Sequence, residues 1–459
     1  MAKYSPFQGA NQNRSDRMQK VTDKLEQFFW LFLFINPFLD IGNGLFIMMM
    51  EGLYDKTWEQ INLAITPSLL VRMVVLVLFA LYLLLSWDKR ALRSILPIGA
   101  VWVLSVAGEF IWPMQRFSLF TDLQYIARFG YNLVVLFIYW RVFQHMKLDR
   151  AQLLERLNGV IVFSLAALSS SILLSYVADM GYTTYADRFG LRGTRGFFYS
   201  GNDITAVLMV LLPVAICCFL SLDRKKAGKA KYVYYAYSPA ATITTLCLIG
   251  TKTAFMAVGA AAAGMLGFAL YLLIRKKDRV PLIRLAIIAL VCLLLLGVLA
   301  IFSQTLFQEI SESLSNTGNI MRREGMTTAL LSGRQNKLKE AFTDYREGGV
   351  YKWLFGVTRG SQRAIIEMDV FEVLFYYGLV GAVFMLWPYL KLGIGYLVRF
   401  FKHCTMLSFA VLISLGLCAG YLVIAGHVLF SVTSGLYFSF MLLYGRLLFS
   451  QDYRHEEVI

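Results

Sequence analysis

The chain has 459 residues, 58% of them hydrophobic and only 16% charged, where a soluble globular domain carries about 25% charged residues. Apolar windows of roughly 20 residues, each long enough to cross a hydrocarbon core, recur along nearly the whole length and exclude a single water-soluble core. The net charge of +15 does not mark a nucleic-acid partner, because Lys and Arg gather in short connections between apolar windows, where they set topology.

In chain order, residues 1–26 are polar and carry Arg14, Arg17, Lys20 and Lys24, so they read as a cytoplasmic tail with no cleavable signal peptide. The hydropathy pattern predicts spans over 27–50, 68–87, 94–112, 123–142, 157–178, 203–221, 233–250, 252–274 and 281–303, then 368–390, 405–425 and 427–449. The expected fold is an all-α polytopic membrane protein of about 12 transmembrane helices. About nine helices fill 27–303, the last three fill 368–449, and 450–459 forms a second cytoplasmic tail. Only Thr251 separates two of the windows, which leaves either two helices with a tight turn or one broken element.

Every second connection is basic: Lys89, Arg90 and Arg93; Lys147, Arg150 and Arg156; Arg224 to Lys231; Arg275 to Arg284; Lys391, Arg399 and Lys402. That asymmetry predicts both termini inside and the other connections outside. Two outside segments stand out, a glycine- and aromatic-rich loop at 179–202 and a long, partly helical cap loop at 304–367. The absence of a convincing internal repeat weighs against a secondary transporter.

Four short motifs carry the chemistry. In the stretch from Leu191 to Asp203, Arg192 and Arg195 lie three apart among glycines, a pattern suited to bidentate binding of phosphate oxygens. Asn202 and Asp203 follow as candidate glycan-binding residues. Gly250-Thr251-Lys252-Thr253 places a lysine in an apolar stretch, where it needs protein, water or ligand as a partner. Ser332-Gly333-Arg334 offers another cation at a helix start, and Arg359 and Arg363 follow as further glycan-binding candidates. In Glu367-Met368-Asp369-Val370-Phe371-Glu372, three carboxylates stand at the head of a span. Ionised acids there require water, a donor or a cation. They either deprotonate an attacking hydroxyl or pair with the arginines. Asp40 and Glu109 are additional acids within spans. The six cysteines and four histidines show no metal-ligand spacing, so neither a metal nor a cofactor is expected.

This arrangement resembles the O-antigen ligase and polymerase superfamily of bacterial membrane enzymes. The resemblance rests on the many spans, the long late loop, and the motifs at 192–202, 250–253, 332–334 and 367–372 running into Tyr377-Gly378-Leu379-Val380-Gly381. It implies a metal-independent glycosyltransferase of the bacterial cytoplasmic membrane, working on its outer face with an undecaprenyl-diphosphate-linked oligosaccharide as donor. It also implies a growing glycan or other acceptor, membrane lipids, and a flippase and chain-length regulator as partners. Arg192, Arg195, Lys252 and Arg334 would hold the diphosphate, and Glu367, Asp369 or Glu372 would supply the base. Many ligases of the superfamily carry a His-Asn pattern where this chain has Glu367-Met368. That departure favours a polysaccharide polymerase, with a glycan ligase and a lipid-carrier or polysaccharide transporter as alternatives.

Overall fold

A computed structural model describes residues 6–61, 66–86, 89–111, 117–146, 148–184, 193–303, 306–361, 366–426, 428–451 and 453–454. The first six helices are α1 (Pro6–Tyr54), the short α2 (Trp58–Ile61), α3 (Pro67–Ser86), α4 (Lys89–Ile111), α5 (Leu119–His145) and α6 (Arg150–Val177). A small antiparallel ribbon, β1 (Tyr182–Thr183) and β2 (Thr194–Gly196), precedes α7 (Gly201–Ser221), α8 (Arg224–Ile249), α9 (Lys252–Lys276) and α10 (Val280–Phe302). Then come α11 (Leu306–Leu331), α12 (Arg334–Glu347), α13 (Gly349–Phe355), α14 (Asp369–Lys402), α15 (Met406–Ile424) and α16 (Ser434–Phe449).

Among the described residues, ten helices are long and apolar enough to cross a membrane: α1, α3 to α7, α9, α10, α14 and α15. The expected count of about twelve is reduced by two for identifiable reasons. The window at 233–250 lies in α8, where tyrosines, threonines, Ser238 and Pro239 dilute the apolar residues. In the window at 427–449, residues 428–433 run through turns, and the helix α16 has only 16 residues. The long partly helical loop expected at 304–367 is not an extended loop: its described residues are mostly the helices α11, α12 and α13. The ambiguity at Thr251 resolves into two helices. Gly250 ends α8 in a left-handed conformation, and the Thr251 side chain caps α9 by accepting from the Ala254 amide at 3.1 Å.

Burial orders the bundle. Of the most apolar stretch of α7, 94% is buried, against 11% for α10, so α7 is a central helix and α10 presents its leucines outward. An outer face this apolar suits lipid, which solvates it without the penalty water would impose. Among the described residues, two buried acids within the spans face a cation. Arg72 of α3 meets Asp40 of α1 at 2.5 Å and also donates to Ser68 and Asn36. Glu109 of α4 faces Lys352 of α13 at 3.4 Å.

One break positions the site. Gly378 interrupts α14 with φ +70°, and a Cβ there would fall 2.3 Å from the Leu354 carbonyl, so glycine permits both the conformation and the close approach. The segment after α13 lies in the gap. The Val357 and Thr358 amides donate to the Phe375 and Tyr376 carbonyls at 2.9 and 3.0 Å, just ahead of the break. The chain leading toward Glu367 is thereby fastened to the first turns of α14.

Candidate functional site

The site is built around Glu367. Its φ of +63° is uncommon for a residue with a Cβ. Three contacts hold it there. The Glu367 amide donates to Glu372 Oε1 at 2.8 Å. Arg334 reaches Glu367 Oε2 with Nε at 3.1 Å and Nη2 at 3.0 Å. Lys337 reaches Oε1 with Nζ at 2.8 Å. Arg334 and Lys337 are three apart in the first turn of α12, so they project from one face of it. Behind the peptide sits Gly426, where any side chain would begin 2.5 Å from the Glu367 carbonyl carbon.

The cluster is open to ligand. The Glu367 side chain is 28% exposed, Arg334 13% and Lys337 40%. Lys252, at the first position of α9, donates to Ser332 Oγ at 3.4 Å, two residues before Arg334. The Gly-Thr-Lys-Thr and Ser-Gly-Arg motifs and Glu367 thus converge.

Asp369 and Glu372 do different work. Both are buried, at 0% and 1% exposure. Asp369 Oδ2 accepts from the amides of Val428 and Leu429 at 2.7 and 2.9 Å, fixing the turn that leads into α16. Glu372 receives the Glu367 amide on one oxygen and the Tyr125 hydroxyl on the other. The buried pair shapes the backbone that presents Glu367.

Arg195 lies on β2, its guanidinium 5.3 Å from the Tyr182 ring centre and 6.0 Å from that of Tyr199. Burial pulls its pKa below the usual arginine value, and burial together with Glu51 pushes the Tyr182 hydroxyl up. The ribbon abuts the turn at Gly250, since the Gly193 backbone packs against the Ile249 carbonyl. Asn202 offers its carbonyl to the Tyr421 hydroxyl at 3.0 Å. The Arg359 guanidinium lies over the Tyr125 ring at 5.9 Å, while its amide donates to Asp122 Oδ1 at 2.8 Å. Arg192 and Arg363 fall outside the described residues.

A cavity of about 390 Å³ opens beside this cluster, lined among others by Asp40, Arg72, Arg128, Tyr199, Asp203 and Phe430. Phe430 stacks on Tyr125 with ring centres 4.2 Å apart. Tyr125 bonds to Glu372 and Glu372 to Glu367, so cavity and cluster share a wall. Four contributors escaped the sequence reading: Lys337, Tyr125, Arg72 and Arg128. Lys337 was visible in principle at three positions from Arg334, and Arg72 and Arg128 as charges inside apolar windows. Tyr125 carried no signal. Among the described residues, no group of three or more His, Cys, Asp or Glu side chains is arranged to hold a metal ion.

Fold and site together define a polytopic, all-helical membrane protein with a polar, cation-bearing recess at its helix ends. The chain belongs to the family of O-antigen ligase like membrane proteins, whose model matches residues 22–316 and 315–449. No curated protein and no solved structure matches it. Family membership places it among membrane proteins that handle glycan and lipid substrates.

Proposed function

We propose that the chain is a glycosyltransferase that moves a glycan from an undecaprenyl-diphosphate carrier to an acceptor hydroxyl, on the outer face of a bacterial cytoplasmic membrane and with both termini inside. The observation that carries this reading is the partly exposed Glu367 carboxylate held between Arg334 and Lys337. The acceptor oxygen attacks the anomeric carbon and the bond to the diphosphate breaks. The acceptor's proton passes to Glu367, and the departing diphosphate takes up the negative charge. A carboxylate gripped by two cations is a poor base. A diphosphate competes for those cations, with Lys252 beside them, and thereby frees Glu367 for the proton when the donor arrives. Arg192 and Arg195 are proposed to extend the diphosphate grip, and Asn202, Asp203, Arg359 and Arg363 to line the glycan path. Transfer in one displacement inverts the anomeric centre.

Family membership favours a ligase, which passes the glycan to a distinct lipid or protein acceptor, over the polymerase expected from Glu367-Met368. The test is reconstitution of the full chain in liposomes with an undecaprenyl-diphosphate-linked repeat unit and a separate lipid acceptor. The expected products are glycosylated acceptor and free undecaprenyl diphosphate. Growth of the glycan on its own carrier would make the protein a polymerase. Passage of intact donor across the bilayer with no release of diphosphate would make it a transporter and end the transferase reading.

A further inference from the structure

Three residues lining the 390 Å³ cavity each carry a buried oxygen with no hydrogen-bond partner: Asp40 Oδ2, Asn43 Oδ1 and Asp203 Oδ1. The same wall holds one unpartnered donor, Arg72 Nε. Leaving such atoms dry and unpaired is unfavourable, so they point to a ligand that supplies hydrogen bonds. The charges decide which kind. Asp40 and Asp203 are offset by Arg72 and Arg128, so the wall is balanced and does not select an ion of either sign. An anion would meet three acceptors, and a metal cation would meet two guanidinium groups. A hydroxyl both donates and accepts, which suits a wall with acceptors in excess and one donor. Trp58, Tyr199 and Phe430 add apolar faces of the kind that pack against the C–H surface of a ring. The volume falls within the roughly 300–1,000 Å³ of small-ligand sites.

We infer that this cavity is a saccharide subsite that binds one neutral sugar ring through Asp40, Asn43 and Asp203, apart from the cations around Glu367. The ligand class rests on the glycan-transfer reading. Through Phe430, Tyr125 and Glu372 the bound ring would lie against the wall that positions Glu367.

The test is saturation-transfer NMR on the full chain in lipid nanodiscs, with methyl glycosides of glucose, galactose, mannose and N-acetylglucosamine as probes. At least one glycoside is expected to receive saturation. Its signal should fall by roughly fivefold in Asp203→Ala and in Asn43→Leu, about the loss of one hydrogen bond. Arg334→Ala, outside the cavity, should keep the signal. Both cavity variants are checked for an unchanged melting temperature, and if Asp203→Ala does not fold, Asn43→Leu decides. Absence of saturation in every glycoside overturns the inference, as does a signal that survives in the folded cavity variants. Displacement of the glycoside by equimolar magnesium or inorganic diphosphate also overturns it, since the cavity would then select charge. The two readings fail separately. Full transfer by Glu367→Gln with glycoside binding intact would sink the proposed base alone, and transfer without glycoside binding would sink the subsite alone.

Discussion

Glu367 and its neighbours Asp369 and Glu372 are chemically alike, adjacent in sequence, and put to opposite uses. Asp369 and Glu372 are buried, and each accepts backbone N–H groups that would otherwise be stranded away from water. Glu367 keeps a face open and spends its oxygens on two side-chain cations that a ligand can displace. The first arrangement is architecture, because exchanging a buried acceptor leaves its amides unpaired. The second is a poised charge, because the Arg334 and Lys337 side chains on its carboxylate are partly solvated and movable. Within this stretch, the partner decides the role and the residue type does not.

The comparison breaks first, and most visibly, at Asp369. Asp369→Ala strands the Val428 and Leu429 amides; hydrogen bonds to a charged group are worth about 1.5–3 kcal/mol each, so roughly 3–6 kcal/mol is at stake. The expected outcome is loss of the monodisperse peak in size-exclusion chromatography, while Asp369→Asn, which keeps an acceptor, retains part of it. Glu367→Gln is the counterpart. It should purify normally and melt within a few degrees of the parent, while transfer drops by about 10²–10⁴-fold, the usual contribution of a general base. A folded but inactive Asp369→Ala, alongside an active Glu367→Gln, would exchange the two roles.

Much of the frame was legible because lipid imposes a simple code: most of the apolar windows became helices at nearly the expected bounds. The misjudged ends have local causes. Tyrosines and threonines dilute the apolar character of α8, and residues 428–433 ahead of α16 are turns whose start Asp369 holds. The motifs at 250–253, 332–334 and 367–372 were recognised separately, and their convergence follows from α9, α12 and α14 meeting at one end. The division of labour among the acids was not legible. It depends on amides at 428 and 429 far along the chain, and on a left-handed turn at Glu367 that no local residue preference announces. Asp40 and Glu109 were conspicuous as charges within spans, but their partners Arg72 and Lys352 emerge only from packing.

The two cations sharpen the comparison at smaller scale. Arg334 is mostly buried and places two nitrogens on Glu367 Oε2, whereas Lys337 is well exposed and places one on Oε1. Arg334→Ala should therefore reduce transfer by about 10²–10³-fold, the range for losing a fixed donor to a developing charge. Lys337→Ala is the weakest intervention, and its two consequences oppose each other. Removing the ammonium weakens the hold on the diphosphate, but it also releases a carboxylate oxygen and makes Glu367 a better proton acceptor. An exposed ion pair is worth up to about 1 kcal/mol, so the net fall in kcat/KM should stay below roughly tenfold and appear mainly as a raised KM for the donor. Steady-state kinetics over a range of donor concentrations separates the terms. A drop in kcat as deep as that of Arg334→Ala would mean that both cations clamp the leaving group equally, whatever their exposure.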